Sequence, residues 1–327
     1  MTTASGGTVV APDAGSGASN GPGPDLAQPR RSRRLGWRRL TPYLYLLPAV
    51  LLLIVWTYLP LARTFDLSFY DWNLIPTSPR EAVGLDNYAT VLGLPEMQQA
   101  VLNTVVYILA AMLFSIVLPL LIALLARRAK GRTKTLYEAL IFVPYLVTPV
   151  ATSAVWRWLF AEDSGLLPQA AQIAGLDIGN VFRNPDTALW AIVIVVGWQM
   201  LGFGVLVVSA GIAGISPDYA QAASIDGAGS WRILRTITLP LLSPTIVFLG
   251  LMTVLLSAQW AYPAIDILTQ GGPNGASNNI YHLLYQFGFQ NFDAGLSAAA
   301  GVLFFLVFSA VAWLFTELSD RLSFYDN

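Results

Sequence analysis

Two dipeptides, Trp198-Gln199 and Gln259-Trp260, set an indole beside a primary amide inside stretches that are otherwise apolar. An indole offers a flat apolar face to the C–H surface of a sugar ring, and an amide both donates to and accepts from hydroxyls. Asn103 and Ser257 are further polar side chains in such stretches. Polar groups at membrane depth face a bundle interior or a cavity, so these six residues are the candidates for lining a translocation path. A second assignment stays open, in which the amides bond between helices and the indoles pack or sit near an interface. No catalytic constellation accompanies them. There is no glycine-lysine phosphate loop, no nucleophile with a base, and no carboxylate pair within an apolar run. With no cysteine and one histidine, His282, disulfides, thiolate metal sites and a histidine metal centre are not expected either. The chain is therefore expected to be no enzyme and to bind no cofactor or metal.

The elements that must position these residues are membrane helices. Hydrophobic residues make up 55 % of the chain and charged residues 11 %, with a mean hydropathy of +0.58, whereas a soluble domain is about one quarter charged. Runs long and apolar enough to span lie at about 41–62, 100–126, 137–160, 187–211, 241–264 and 296–316. The fold class is an all-α membrane protein of six transmembrane helices, with membrane lipid rather than nucleic acid as its surroundings. Gly197, Gly202 and Gly204 would let helices approach closely. Pro119 and Pro149 are expected to kink theirs.

Residues 1–29 are rich in Gly, Ala, Ser and Pro and lack apolar periodicity, which suits a disordered tail. An arginine-rich arm follows, at Arg30, Arg31, Arg33, Arg34, Arg38 and Arg39. The expected organisation is a tail and arm over 1–40, a six-span domain over 41–317 and a short tail over 318–327. Basic residues gather on one side of this topology: the arm, then Arg127, Arg128, Lys130, Arg132 and Lys134, then Arg232 and Arg235, then Arg321. Arg63, Arg80, Arg157 and Arg183 fall on the other side, among Asp66, Asp71, Asp86, Glu162 and Asp163. The positive-inside rule then puts both termini and the segment 215–240 in the cytoplasm.

That segment is a polar interruption between the fourth and fifth runs. Ser216-Pro217-Asp218 reads as a helix start, with a hydroxyl cap, a ring at the first helical position and an acid in the first turn. Tyr219, Ala222 and Ala223 share a face, and the two alanines would let another backbone come close. Asp226-Gly227 ends this helix, since glycine accepts the left-handed conformation of a sharp turn. Ser230 is expected to cap a second helix reaching about Thr238, with Trp231, Leu234 and Ile237 inward, and Pro240 to start the next membrane segment.

The order Gln221-Ala222-Ala223, then Asp226-Gly227, then after nine residues Ile237-Thr238-Leu239-Pro240 resembles the cytoplasmic coupling loop of permease subunits in binding-protein-dependent ABC importers. The family usually carries glutamate where this chain has Gln221, which replaces a salt bridge to the ATPase with at most a hydrogen bond. Gly84-Leu85-Asp86-Asn87-Tyr88 and Gly271-Gly272-Pro273, together with Pro144-Tyr145, Trp156 and Phe160, are similar to elements of the maltose-type carbohydrate class. The stretch from Tyr262-Pro263 to Gly288-Phe289 looks somewhat like permeases for glycerol-3-phosphate and glycerophosphodiesters. The resemblance implies a bacterial inner-membrane permease that works with a homologous second permease, two ATPase subunits holding ATP and Mg, and an extracytoplasmic solute-binding protein. It makes Gln221, Ala222, Ala223, Asp226, Gly227, Ile237, Leu239 and Pro240 the ATPase-coupling residues. The alternative from another class is a secondary transporter driven by an ion gradient. Such a protein would normally carry ionisable groups at mid-membrane, but the only acid inside a run is Glu138, near a cytoplasmic end.

Overall fold

A computed structural model describes residues 35–126, 131–162, 164–176 and 179–322. The tail over 1–29, Arg30, Arg31, Arg33, Arg34, Arg127, Arg128, Lys130, Asp163 and residues 323–327 lie outside the described residues. The chain divides into two compact units, residues 1–56 and 57–327. In the first, helix Leu35–Leu53 begins within the segment expected as tail and arm, so residues 35–40 are helical.

Among the described residues the protein is helical apart from an antiparallel ribbon that pairs Tyr70–Asp71 with Glu81–Ala82. Pro42–Leu67, Pro95–Leu125, Pro185–Ala213, Ser243–Leu268 and Ala294–Glu317 are each long and apolar enough to cross a membrane. They are the first, second, fourth, fifth and sixth spans. The third differs from the single helix expected over 137–160. It is two helices, Thr135–Leu146 and Pro149–Leu159, bent by 94° at the break between them. The cause is local: Val147 and Thr148 are extended, with ψ of 135° and 142°, as the residue before a proline prefers. Thr148 then caps the second limb, its Oγ1 accepting from the Ala151 N–H at 3.4 Å.

Prolines also explain a second irregularity. The π turns Ile54–Tyr58, Leu113–Val117 and Leu234–Thr238 each end just ahead of a Leu-Pro pair, at Pro60, Pro119 and Pro240. A proline ring collides with the carbonyl four residues back and donates no hydrogen bond, and a wider turn relieves both faults. Accordingly the Leu118 N–H donates to the Leu113 carbonyl and the Leu239 N–H to the Leu234 carbonyl, five residues back.

The fourth span is the centre of the second unit, with 61 % of its most apolar window buried against 22 % for the second and sixth spans. Ile192, Val193, Val196 and Met200 of this span pack with Tyr107 and Ala111 of the second and Ala261, Ala264 and Ile265 of the fifth. Lipid is as apolar as these side chains, so association depends on close packing rather than on escape from water. The glycines supply that closeness. A Cβ on Gly197 would lie 2.5 Å from the Phe114 ring, one on Gly204 2.5 Å from the Ser115 carbonyl, and one on Gly202 would run into the Ile141 carbonyl.

Candidate functional site

The 215–240 segment leaves the fourth span at Gly214 and forms a nine-residue helix, Pro217–Ile225, in which no residue is buried. Its start is the one the sequence specifies, with Ser216 Oγ accepting from the Asp218 N–H at 3.3 Å. Its end is a paired cap. The Gly227 N–H donates to the Ser224 carbonyl at 3.1 Å and the Ala228 N–H to the Ala223 carbonyl at 2.9 Å, with Gly227 at φ +81°. Gln221, Ala222 and Asp226 are exposed, Ala223 is half-buried, and Ile225 is 87 % exposed.

The second helix departs from expectation. It begins as Ser230–Ile233 with Gly229 at the cap and Ser230 as the first helical residue, because the chain leaves the glycine turn with Gly229 already extended (ψ 162°). Trp231, expected inward, is 72 % exposed, while Leu234 and Ile237 are half-buried. Trp231 precedes the π turn Leu234–Thr238, which holds the other two. Leu239 and Pro240, also half-buried, lead to Leu242, which is fully buried against Ala123, Val208 and Leu249. Leu242 thus roots the loop in the second, fourth and fifth spans, a role that one more leucine beside an apolar run does not signal.

The candidate path residues separate into different environments. Gln199 is buried, and its Nε2 donates to Thr152 Oγ1 at 2.9 Å and to the Val147 carbonyl at 3.1 Å, with the Pro144 carbonyl at 3.5 Å. The Pro144 carbonyl also accepts from the Val147 N–H at 3.3 Å, whereas the Val147 carbonyl, at the break in the third span, takes its bond from Gln199, which thereby holds that break in shape. Tyr145, beside the break, stacks on Trp260 (5.0 Å between ring centroids, 11°) and on Phe203 (5.0 Å, 18°). One aromatic pile therefore joins the fourth span, the broken third and the fifth. Gln259, next to Trp260, is exposed. Trp198 is partly exposed and meets Trp156 edge-on at 5.9 Å. Ser257 is buried, and its Oγ has no hydrogen-bond partner among the described residues.

Asn103 ties the second span to the loop that follows the fifth, its Nδ2 lying 3.0, 3.1 and 2.8 Å from the carbonyls of Gly275, Ala276 and Asn278. Tyr107 Oη donates to the Ser277 carbonyl at 2.9 Å, and Asn279 Nδ2 to the Ala258 carbonyl at 2.8 Å. Below this loop His282 is buried, with Nδ1 2.8 Å from Asn278 Oδ1 and Nε2 3.6 Å from Asp266 Oδ1. Burial holds its pKa below the ordinary 6.5, although the Asp266 carboxylate pulls the other way. In the Gly84-Leu85-Asp86-Asn87-Tyr88 element, Asn87 Nδ2 bonds the Ser68 and Tyr70 carbonyls, both at 3.0 Å, and Tyr88 Oη lies 2.6 Å from Ser68 Oγ. Both resemblance elements are clasps for loops at the ends of spans.

Residues 115–323 match the profile of the family described as "Binding-protein-dependent transport system inner membrane component". The trehalose/maltose transport system permease protein MalF of Thermococcus litoralis is 32 % identical over 267 residues, covering 81 % of this chain and 88 % of that one. The sn-glycerol-3-phosphate transport system permease protein UgpA of Agrobacterium fabrum is 28 % identical over 287 residues, covering 88 % and 97 %. The crystal structure of a bacterial ABC transporter involved in the import of the acidic polysaccharide alginate contains a chain that aligns with a TM-score of 0.73 at 20 % identity. That alignment covers 88 % of this chain and 99 % of the other, so the fold is shared.

Proposed function

Because the chain belongs to the family of inner-membrane components of binding-protein-dependent transport systems, we propose that it is gripped at its 215–240 loop by ATPase subunits and passes a sugar-type solute inward. The family membership makes it the multi-pass permease of such a system rather than its catalytic part, and the gradient-driven alternative falls away. The observation that carries the coupling role is the exposed helix Pro217–Ile225, capped at both ends and set between two spans. When two ATPase subunits close on ATP and Mg, a rigid knob held in a groove of one of them moves as a body. It pulls on the fourth span through Gly214 and on the fifth through the buried Leu242. Both termini and this loop lie in the cytoplasm, where the Lys/Arg distribution puts them.

The solute path runs between this chain and a homologous second permease, and an external binding protein delivers the solute. Gln259 and Trp260 supply an amide and a ring to it, supported by Tyr145 and Phe203. Relatives are named for trehalose and maltose and for glycerol-3-phosphate. Rings and an amide suit hydroxyls and C–H faces better than a phosphate, which favours guanidinium groups, so a saccharide is the preferred cargo over the glycerol-phosphate subgroup.

The test is gentle purification of the tagged chain from its native membrane, followed by mass spectrometry of what accompanies it. The chain has no cysteine, so an Ala222→Cys variant can be cross-linked at one chosen point. Recovery of an ATPase, a second permease and a binding protein, with the cross-link formed to the ATPase, is expected. A chain recovered alone, whose transport ATP does not drive, would overturn the proposal.

A further inference from the structure

At the end of the fifth span opposite the 215–240 loop, a cleft of about 720 Å³ opens between the start of the second span and the loop carrying Gly271-Gly272-Pro273. Its volume falls within the roughly 300–1,000 Å³ typical of small-molecule sites. The polar side chains lining it are Glu96, Gln99, Gln270, Asn274, Asn278 and Gln286. Five of these six are amides, one is a carboxylate, and among the described residues no lysine, arginine or histidine lines the cleft. An amide wall that both donates and accepts suits neutral hydroxyls, while the lone carboxylate repels anions.

The wall is built rather than incidental. Gln270 stands in the left-handed region, at φ +51°, a conformation that a glutamine adopts only when its surroundings impose it, and Asn274 stands there too, at φ +50°, which asparagine tolerates. The surroundings are the Asn103 clasp, the Tyr107 bond to Ser277, and Ser277 Oγ bonded to Thr269 Oγ1 and the Gly272 carbonyl, both at 2.8 Å. Asn278 Nδ2 in turn donates to Gln286 Oε1 at 2.8 Å, which orients that amide at the cleft floor. Such pre-organisation of polar side chains around an open volume is the mark of a binding site.

We infer that this cleft is an entry subsite for a neutral polyhydroxylated solute, holding it at the far end of the same helix whose other end carries the 215–240 loop. The inference rests on the proposed saccharide import and narrows its substrate class to uncharged sugars. It is tested in the assembled, purified complex, with a Gln98→Cys substitution carrying an environment-sensitive fluorophore beside the cleft and the unsubstituted complex as labelling background. Maltotriose and trehalose are titrated, with sn-glycerol-3-phosphate as the anionic comparison. A saturable response to a neutral saccharide and none to glycerol-3-phosphate is expected. Gln270→Gly and, separately, Asn274→Gly remove an amide at positions whose backbone suits glycine, so folding is retained. Each should raise the half-saturating concentration about tenfold, the loss of one well-made hydrogen bond. If the complex imports the saccharide but the label never responds, or both glycine variants bind unchanged, the subsite is refuted while the import proposal stands. An equal response to glycerol-3-phosphate refutes the neutral class. If the unsubstituted complex imports no neutral saccharide, the saccharide proposal itself is refuted, whatever the label shows.

Discussion

Gly227 is where a single atom should separate ATP hydrolysis from transport. The residue sits at φ +81°, and a Cβ built on it would meet no atom within 4 Å. The cost of a side chain there is therefore not a clash but the backbone penalty of a left-handed L-residue, about 1–2 kcal/mol. Opening the turn to escape it forfeits the bonds to the Ser224 and Ala223 carbonyls, each contributing about 0.5–1.5 kcal/mol. Either way the capped form loses about 1–2 kcal/mol, a factor of about 5–30 in its ratio to the open form. The helix cannot absorb this loss, because its nine residues fall short of the roughly 12–15 that are marginal in isolation. Gly227→Leu and Gly227→Val should lower solute uptake per ATP hydrolysed about fivefold or more, whereas Gly227→Asn, which tolerates this conformation, should stay near the parent. Uptake and hydrolysis are measured on the same proteoliposomes holding the full complex. Parent-like coupling in the Val variant, or an Asn variant as impaired as Leu, would refute the role of the turn.

Gln259→Leu should reduce uptake while assembly and basal ATP hydrolysis persist; unchanged uptake would remove Gln259 from the path. Gln199→Leu leaves the Val147 carbonyl and Thr152 Oγ1 without the amide that donates to them, a loss of about 1 kcal/mol or more. The melting midpoint of the purified complex should fall by about 2–4 °C, and an unaltered midpoint would mean that the break holds itself. His282 has a folded pKa below its ordinary value because of burial, so the unfolded chain binds its proton first. Stability should therefore be full above about pH 6.5 and decline as pH falls below it. His282→Gln should flatten that decline in a thermal-midpoint series, and an unchanged slope would assign it to other groups.

Length, hydropathy and local capping chemistry carried much of this protein in its sequence. The spans were legible because a run either is or is not long and charge-free enough to cross a bilayer. The helix Pro217–Ile225 and its glycine stop were legible because Ser216-Pro217-Asp218 and Asp226-Gly227 act on their own neighbours. Tertiary structure decided what depends on direction and on distant partners. Hydropathy over 137–160 does not distinguish one helix from two bent by 94°, since it counts apolar residues and not the direction of the chain. Trp231 is exposed although Leu234, three residues on, is half-buried, because spacing says which residues neighbour one another on a helix and not what covers them. Gln199 and Asn103 have the composition of path-lining amides, yet each binds backbone carbonyls that folding alone brings within reach, across 52 residues to Val147 in one case and 175 to Asn278 in the other. An amide's chemistry can be read in the sequence, but its partner depends on which backbone carbonyls lose their helical or turn donors, and that is settled only when the helices pack.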